Sequence, residues 1–312
     1  MYVLRRVGIY LLSMLVASAL VFSVMSILPG DPAQVMLGTQ ATPEAVASLR
    51  TELGLDRPIP VQYLDWLAGA VTGDLGTSVF SGQDIASQIL DRLAITVPLA
   101  VIAMTMTILI SVPAGVYAAS RHRQPGDSVV SVFSQVGLSI PAFWAGLLFV
   151  TAFAVQRRWF PANGFPGWQP SVFEALRALF LPALSLAIVQ GAIITRYVRS
   201  AVLETLREDY IRTARAKGLS RSAALWRHGL RNAAIPVLTI LGLQFAALLA
   251  GTVVIESVFV LPGLGSMLLQ AITRRDLLMV QGGAFVIVAF ILTINLAVDL
   301  TYRFVDPRVR AR

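Results

Sequence analysis

Six stretches of this chain carry no charged residue over lengths that can cross a bilayer: 7–28, 93–120, 128–156, 178–195, 232–255 and 277–298. A hydrocarbon core about 30 Å thick takes about 20 helical residues to span. Lipid offers the backbone no hydrogen bonds, whereas a helix satisfies its own. The six runs therefore predict an all-α integral membrane protein with six transmembrane helices. Composition agrees, with 56% hydrophobic and 13% charged residues, against about 25% charged in soluble domains. A soluble enzyme is excluded, and so is a disordered chain, which would be poor in apolar residues and rich in charge. There is no cysteine, so disulfides, thiol catalysis and Cys-ligated zinc or iron–sulfur centres are excluded as well.

Two stretches need a decision. Residues 7–28 follow Arg5 and Arg6 as a signal peptide would, but they are longer than the usual 7–15-residue apolar core of such a signal. A retained anchor is expected. Residues 257–273 are also free of charge but contain Pro262, Gly263 and Gly265, which suit a loop or a short re-entrant helix better than a crossing. With six spans, one side of the membrane receives the N-terminus, 121–127, 196–231 and the C-terminus, and with them 17 of the 25 basic residues. Positive charge collects on the cytoplasmic side, so both termini are expected inside. A seventh span at 257–273 would place Arg303, Arg308, Arg310 and Arg312 outside.

The chain then divides into an N-terminal transmembrane helix at 1–28, an extracytoplasmic segment at 29–92 and a five-helix core at 93–312. The external segment holds eight acidic residues and three arginines. Thr42, Pro43 and Glu44 read as a helix start, with Thr42 as N-cap. Ala45, Leu49 and Leu53 recur at helical spacing, and Gly54 ends the run. Gln62, Tyr63 and Trp66 suggest a second short helix, stopped by Gly69 and Gly73. A docking surface or lid fits this segment as well as a packed cover does. Trp159, Phe160, Phe165 and Trp168 are candidate interfacial anchors.

Residues 196–231 are the most informative. Leu203, Leu206, Tyr210 and Ala214 form an apolar stripe at spacings of three and four. Gly218 suits the residue just past a helix end, and Ser220 can cap a following helix at 221–231. The element is a basic, amphipathic helix–Gly–helix tied to the membrane at both ends. It can lie among lipid headgroups, or it can bind a partner, with Thr213, Ala214 and Ala216 allowing close approach.

At this point the sequence resembles a known family. YIRTARAKGLS at 210–220 and HGLRNAAIP at 228–236 are similar to the cytoplasmic loop of ATP-binding-cassette importer permeases of the peptide/nickel type. LPGDPAQVMLG at 28–38, LGLDRPIPVQYLDWL at 53–67, GDLGTS at 73–78 and LSIPAFWAGLL at 138–148 also resemble that branch. So do LPGLGSMLLQAITRRD at 261–276, VQGG at 280–283 and NLAVDLTYRFVDPRVR at 295–310, so the likeness covers nearly the whole chain. Arg212, Thr213 and Ala214 stand where the general loop has Glu-Ala-Ala. His228 to Arg231 stand where it has Ile-x-Leu-Pro. Both are usual in the peptide-type branch.

The resemblance implies the first permease subunit of a dipeptide or oligopeptide importer in a bacterial inner membrane. Its implied partners are a second homologous permease, two cytoplasmic ATP-binding subunits, an extracytoplasmic solute-binding protein and membrane lipid, with no nucleic acid. The ATPase-coupling residues it implies are Tyr210, Arg212, Thr213, Ala214, Ala216, Lys217 and Gly218. No cofactor is expected in this chain. Lys217 is its only lysine and precedes Gly218, so the phosphate-cradling GxxxxGK[ST] loop is absent and ATP and Mg²⁺ fall to the partners. Nickel chelates, glutathione and opine-like cargoes stay open.

Polar residues within spans are candidates for the pathway, because they are costly facing lipid. They are Gln135, Gln190, Gln244, Glu256 and Asn295. Each amide can equally serve a helix–helix hydrogen bond, and Asp299 can pair with Arg303. An ion-coupled carrier usually has ionisable groups at mid-membrane, and none is clearly there. His122 and His228 lack any catalytic context.

Overall fold

The computed structural model describes residues 2–27, 32–38, 41–52, 54–169 and 171–305. The expected features at 28–31, at Leu53, in the Arg303 side chain and at Arg308, Arg310 and Arg312 lie outside the described residues. The described chain is helical throughout, with one isolated bridge between Thr77 and Asp84. The helices are α1 Tyr2–Ile27, α2 Pro32–Leu37, α3 Pro43–Glu52, α4 Ile59–Thr72, α5 Ile85–Ser120, α6 Pro125–Ser139, α7 Ala142–Phe149, α8 Val172–Thr205, α9 Asp209–Ala216, α10 Arg221–Ala224, α11 Leu230–Val258, α12 Leu264–Arg274 and α13 Leu277–Val305. π-helical turns continue α7 through Val150–Gln156 and join α10 to α11 through Leu225–Gly229.

Five helices are long and apolar enough to cross a membrane: Val3–Ile27, Ile85–Ser120, Val172–Thr205, Arg221–Val258 and Leu277–Thr301. The remaining charge-free run, at 128–156, is not one continuous helix. It breaks into Pro125–Ser139 and Ala142–Gln156, bent by 99°. Pro141 disfavours helical backbone at the residue before it, and Ile140 is extended at φ −97°, ψ 120°. The 257–273 run becomes α12, whose 11 residues span only about 16 Å at 1.5 Å each.

The chain forms two compact units that are not consecutive in sequence: 1–96 with 262–293, and 97–261 with 294–312. In the first unit, Leu75, Ile85, Ile89, Leu264, Met267, Ala271, Met279 and Val280 make the core. Asp276 organises its polar side. Its carboxylate accepts from the Ser78 hydroxyl at 2.5 Å and from the Met279 amide at 3.2 Å, which caps α13. The Thr96 hydroxyl accepts from the Leu264 amide at 2.8 Å. The Thr42 hydroxyl accepts from the Ala45 amide at the start of α3. Helix α4 ends at Gly73, in the left-handed conformation at φ 88°. Gly69 lies inside that helix rather than stopping it, and its carbonyl accepts from the Asp74 amide.

In the second unit α8 is the central element. Within its most apolar stretch, 72% of residues are buried, against 33% for the helix running from Arg221 to Val258. Small residues bring other helices onto α8, as is usual where lipid supplies no hydrophobic drive between helices. A Cβ on Gly115 of α5 would lie 2.7 Å from Val198 and 2.8 Å from the Thr195 carbonyl oxygen. A Cβ on Gly137 of α6 would lie 2.9 Å from Ala192.

Candidate coupling hairpin and its brace

The helix–Gly–helix expected at 196–231 is present with one change. Its first helix is interrupted: α8 runs to Thr205, and α9 starts afresh at Asp209. Between them Leu206 donates to Val202, Arg207 to Glu204 and Glu208 to Thr205, closing a tight turn. Helix α9 ends at Ala216. Gly218 follows at φ 92°, a left-handed conformation that costs glycine little. The Ser220 hydroxyl accepts from the Ala223 amide at 3.2 Å. The helix begun there does not stop at residue 231 but continues to Val258.

The turn between α8 and α9 redistributes the apolar stripe. Ile211 and Ala214 are buried with Ala224, flanked by Leu206 and Leu219. Ala214, expected among the residues that allow a partner's close approach, is buried against the chain's own Ile211 and Ala224. Tyr210 faces outward, and its hydroxyl accepts from the Asn232 amide at 2.8 Å. Arg212, Thr213, Arg215, Ala216, Lys217 and Gly218 are all exposed. Arg212 pairs with Asp209 at 3.2 Å in the open. The result is a short helix fixed by an apolar inner face, with three cations outward. Beside it lies a cleft of about 550 Å³ lined by Ser200, Leu203, Glu204, Arg207, Glu208, Asp209 and Arg212.

A second polar feature sits near the hairpin and was missed in the sequence. Asp127, in the first turn of α6, is buried. Arg199 of α8 forks onto it, Nε to Oδ1 at 2.6 Å and Nη2 to Oδ2 at 2.8 Å. The same Oδ2 is 3.1 Å from His122 Nδ1 and accepts from the Arg123 amide at 3.2 Å. Asp127 precedes the charge-free run. The Arg199 fork and the Arg123 amide supply hydrogen bonds to both oxygens of the buried carboxylate. Asp127 is the one acid in an Arg-rich loop, which was the available signal.

The pathway candidates are dispersed. Gln190 is buried, and its side-chain amide donates to the Gln244 carbonyl at 3.0 Å, a helix–helix bond between α8 and α11. Gln135 is exposed, Glu256 is wholly buried, and Gln244 and Asn295 are half-buried. Among the described residues no cluster of three or more His, Asp or Glu forms a metal site. Of the candidate anchors, Trp159 is exposed, Phe160 stacks on Phe180 at 4.9 Å, and Phe165 meets Trp168 edge-on.

Residues 111–311 match the family described as the binding-protein-dependent transport system inner membrane component, and residues 1–100 match its N-terminal region. A chain of Brucella abortus (strain 2308) is 42% identical over 99% of this chain and 98% of its own. A dipeptide transport system permease protein of Alkalihalophilus pseudofirmus is 38% identical over 99% of both chains. A di/tripeptide transport system permease protein of Pseudomonas aeruginosa is 37% identical over 99% and 98%. The fold is similar to that of a methionine ABC transporter solved in inward-facing conformations, with a TM-score of 0.54 and 18% identity over 70% of this chain and 96% of that one. With its apolar helices, its hairpin and these matches along its length, the chain belongs to the inner-membrane permease components of binding-protein-dependent transport systems.

Proposed function

We propose that this chain is the first of two permease subunits in an ATP-driven importer of short peptides. In this reading it works with a homologous permease, two cytoplasmic ATP-binding subunits that hold ATP and Mg²⁺, and an extracytoplasmic solute-binding protein that delivers cargo. The names of the relatives from Alkalihalophilus pseudofirmus and Pseudomonas aeruginosa support the cargo class.

The observation that carries the mechanism is the mounting of α9. Its inner face is seated by Ile211 and Ala214, and its outer face offers Tyr210, Arg212, Thr213, Ala216 and Lys217. An ATPase groove that grips the outer face and closes would displace α9 as a body, and α8 and α11 would follow. ATP binding then shifts an inward–outward equilibrium by as much as the gripped arrangement is preferred in one state. Gln190, Gln244, Glu256, Asn295 and the exposed Gln135 are offered as pathway candidates within that frame.

The test is reconstitution. The purified chain alone should neither hydrolyse ATP nor carry a labelled dipeptide. Proteoliposomes holding all the subunits and the binding protein should show peptide-stimulated hydrolysis and uptake. Uptake by the lone chain, driven by an ion gradient, would replace this reading with a carrier.

A further inference from the structure

The Asp127–Arg199 fork joins parts of the chain 72 residues apart. One end is in the first turn of α6, just after the short loop that joins it to α5. The other is on α8, six residues before that helix ends at Thr205 and ten before α9 begins. Packing at the same level is tight. The Gly115 contact presses α5 onto α8 at Thr195 and Val198, within the turn that precedes Arg199. In the first turn of α6, a Cβ on Gly126 would lie 2.7 Å from the Tyr117 hydroxyl. Val116, Ala119, Ile194, Val198, Val202, Leu225 and Ala233 form one apolar cluster from α5, α8, the π-turn and α11. Arg123 is held at φ 64°, uncommon for a residue with a side chain, and its amide is one of those bound to Asp127.

We propose that the Asp127–Arg199 pair is a positioning brace for transport: it makes the α5–α6 loop move with the foot of α8, so that displacement of α9 reaches α5, α6 and α8 together. This rests on the reading of α9 as the surface an ATPase grips. The geometry requires arginine. A guanidinium presents two parallel donors to both carboxylate oxygens and fixes orientation as well as distance, whereas an ammonium is a point charge on a flexible stem. The carboxylate is buried and cannot exchange its partner for bulk water without the loop coming away, so the brace is either closed or open.

The experiment uses the assembled transporter in proteoliposomes, with radiolabelled dialanine as cargo, and reads ATP hydrolysed per peptide imported. Arg199→Lys and Asp127→Asn should each raise that ratio about fivefold or more, the range in which coupling free energies act. Partner permease and ATPase should still co-purify. A variant that merely destabilises the protein lowers hydrolysis and uptake together and leaves the ratio unchanged. An unchanged ratio in assembled variants would overturn the brace. Failure of both variants to assemble would overturn it too, by making the pair a folding element. If the wild-type assembly shows no ATP-driven uptake, the underlying reading of function fails instead.

Discussion

Ile211 is the residue on which the seating of α9 depends, and Ile211→Ala measures that seating. The side chain is wholly buried, in a small cluster with Ala214 and Ala224. Truncation removes three carbons, or roughly 2.4 kcal/mol at about 0.8 kcal/mol each. A cavity penalty comes on top, and isoleucine-to-alanine changes in cores cost about 2–5 kcal/mol. Leu206 and Leu219 are only partly buried and can close on the gap, which places this site near the low end, at about 2.5 kcal/mol. At tenfold per 1.4 kcal/mol, the ratio of seated to open α9 falls roughly 60-fold. Hydrogen exchange of the full chain in nanodiscs reads this directly. The amides of Lys217, Gly218 and Leu219, which donate to Thr213, Arg215 and Ala214, should exchange faster by about that factor. The amides of the buried part of α8 should not change. Unaltered exchange at 217–219 would refute the claim that Ile211 seats the hairpin. Equal acceleration along α8 would show that α9 is not a separable element.

Gly218→Ala meets no neighbouring atom within 4 Å, so its cost is the left-handed backbone alone, about 1–2 kcal/mol; it should show as faster exchange at 217–219, with Gly218→Asn milder. Gly115→Leu forces a side chain into Val198 and the Thr195 carbonyl, both backbone-proximal contacts that cannot swing aside; the yield of folded chain by size exclusion should collapse, whereas Gly8→Ala, helical and with open space around it, should leave that yield intact. Asp276→Ala removes the acceptor of the Ser78 hydroxyl and the cap of α13, a loss of about 1–2 kcal/mol for the cap alone; limited proteolysis should then cut within 77–84 sooner than in the wild type.

The membrane-crossing helices could be read in the sequence because their signal is local: twenty or so residues without charge have few other uses. The limits of the hairpin were equally local at Ser220, whose hydroxyl caps the helix it precedes, and at Gly218, whose φ of 92° few other residues would accept. The prolines mark where spans can kink or end, but which of them breaks its helix was not legible. Pro98, Pro113, Pro182 and Pro236 all sit inside unbroken helices, and Val97, Val112 and Ile235 precede three of them much as Ile140 precedes Pro141. What distinguishes Pro141 is tertiary. Helix α7 buries Ala145 and Gly146, and a Cβ on Gly146 would lie 3.0 Å from Phe259 and 3.4 Å from the Ser185 hydroxyl. Proline permits a break at all five places, and packing exploits one.

The same distinction between local permission and distant choice explains the inner face of α9 and its neighbouring brace. A stripe at spacings of three and four records which residues could share a face only if the helix is unbroken. The turn at 206–208 reset the phase, turning Tyr210 out and Ile211 in. Asp127 and Arg199 are 72 residues apart, so their pairing has no local signal; it depends on Gly115 and Gly137, the residues small enough to let α5 and α6 approach α8. In a bundle where apolar surface is cheap on both sides of every helix, specificity has to come from such close approaches and from the few charges kept out of lipid. A permease that must move as a body has reason to place those charges where its moving parts meet, and the foot of α8 is that place.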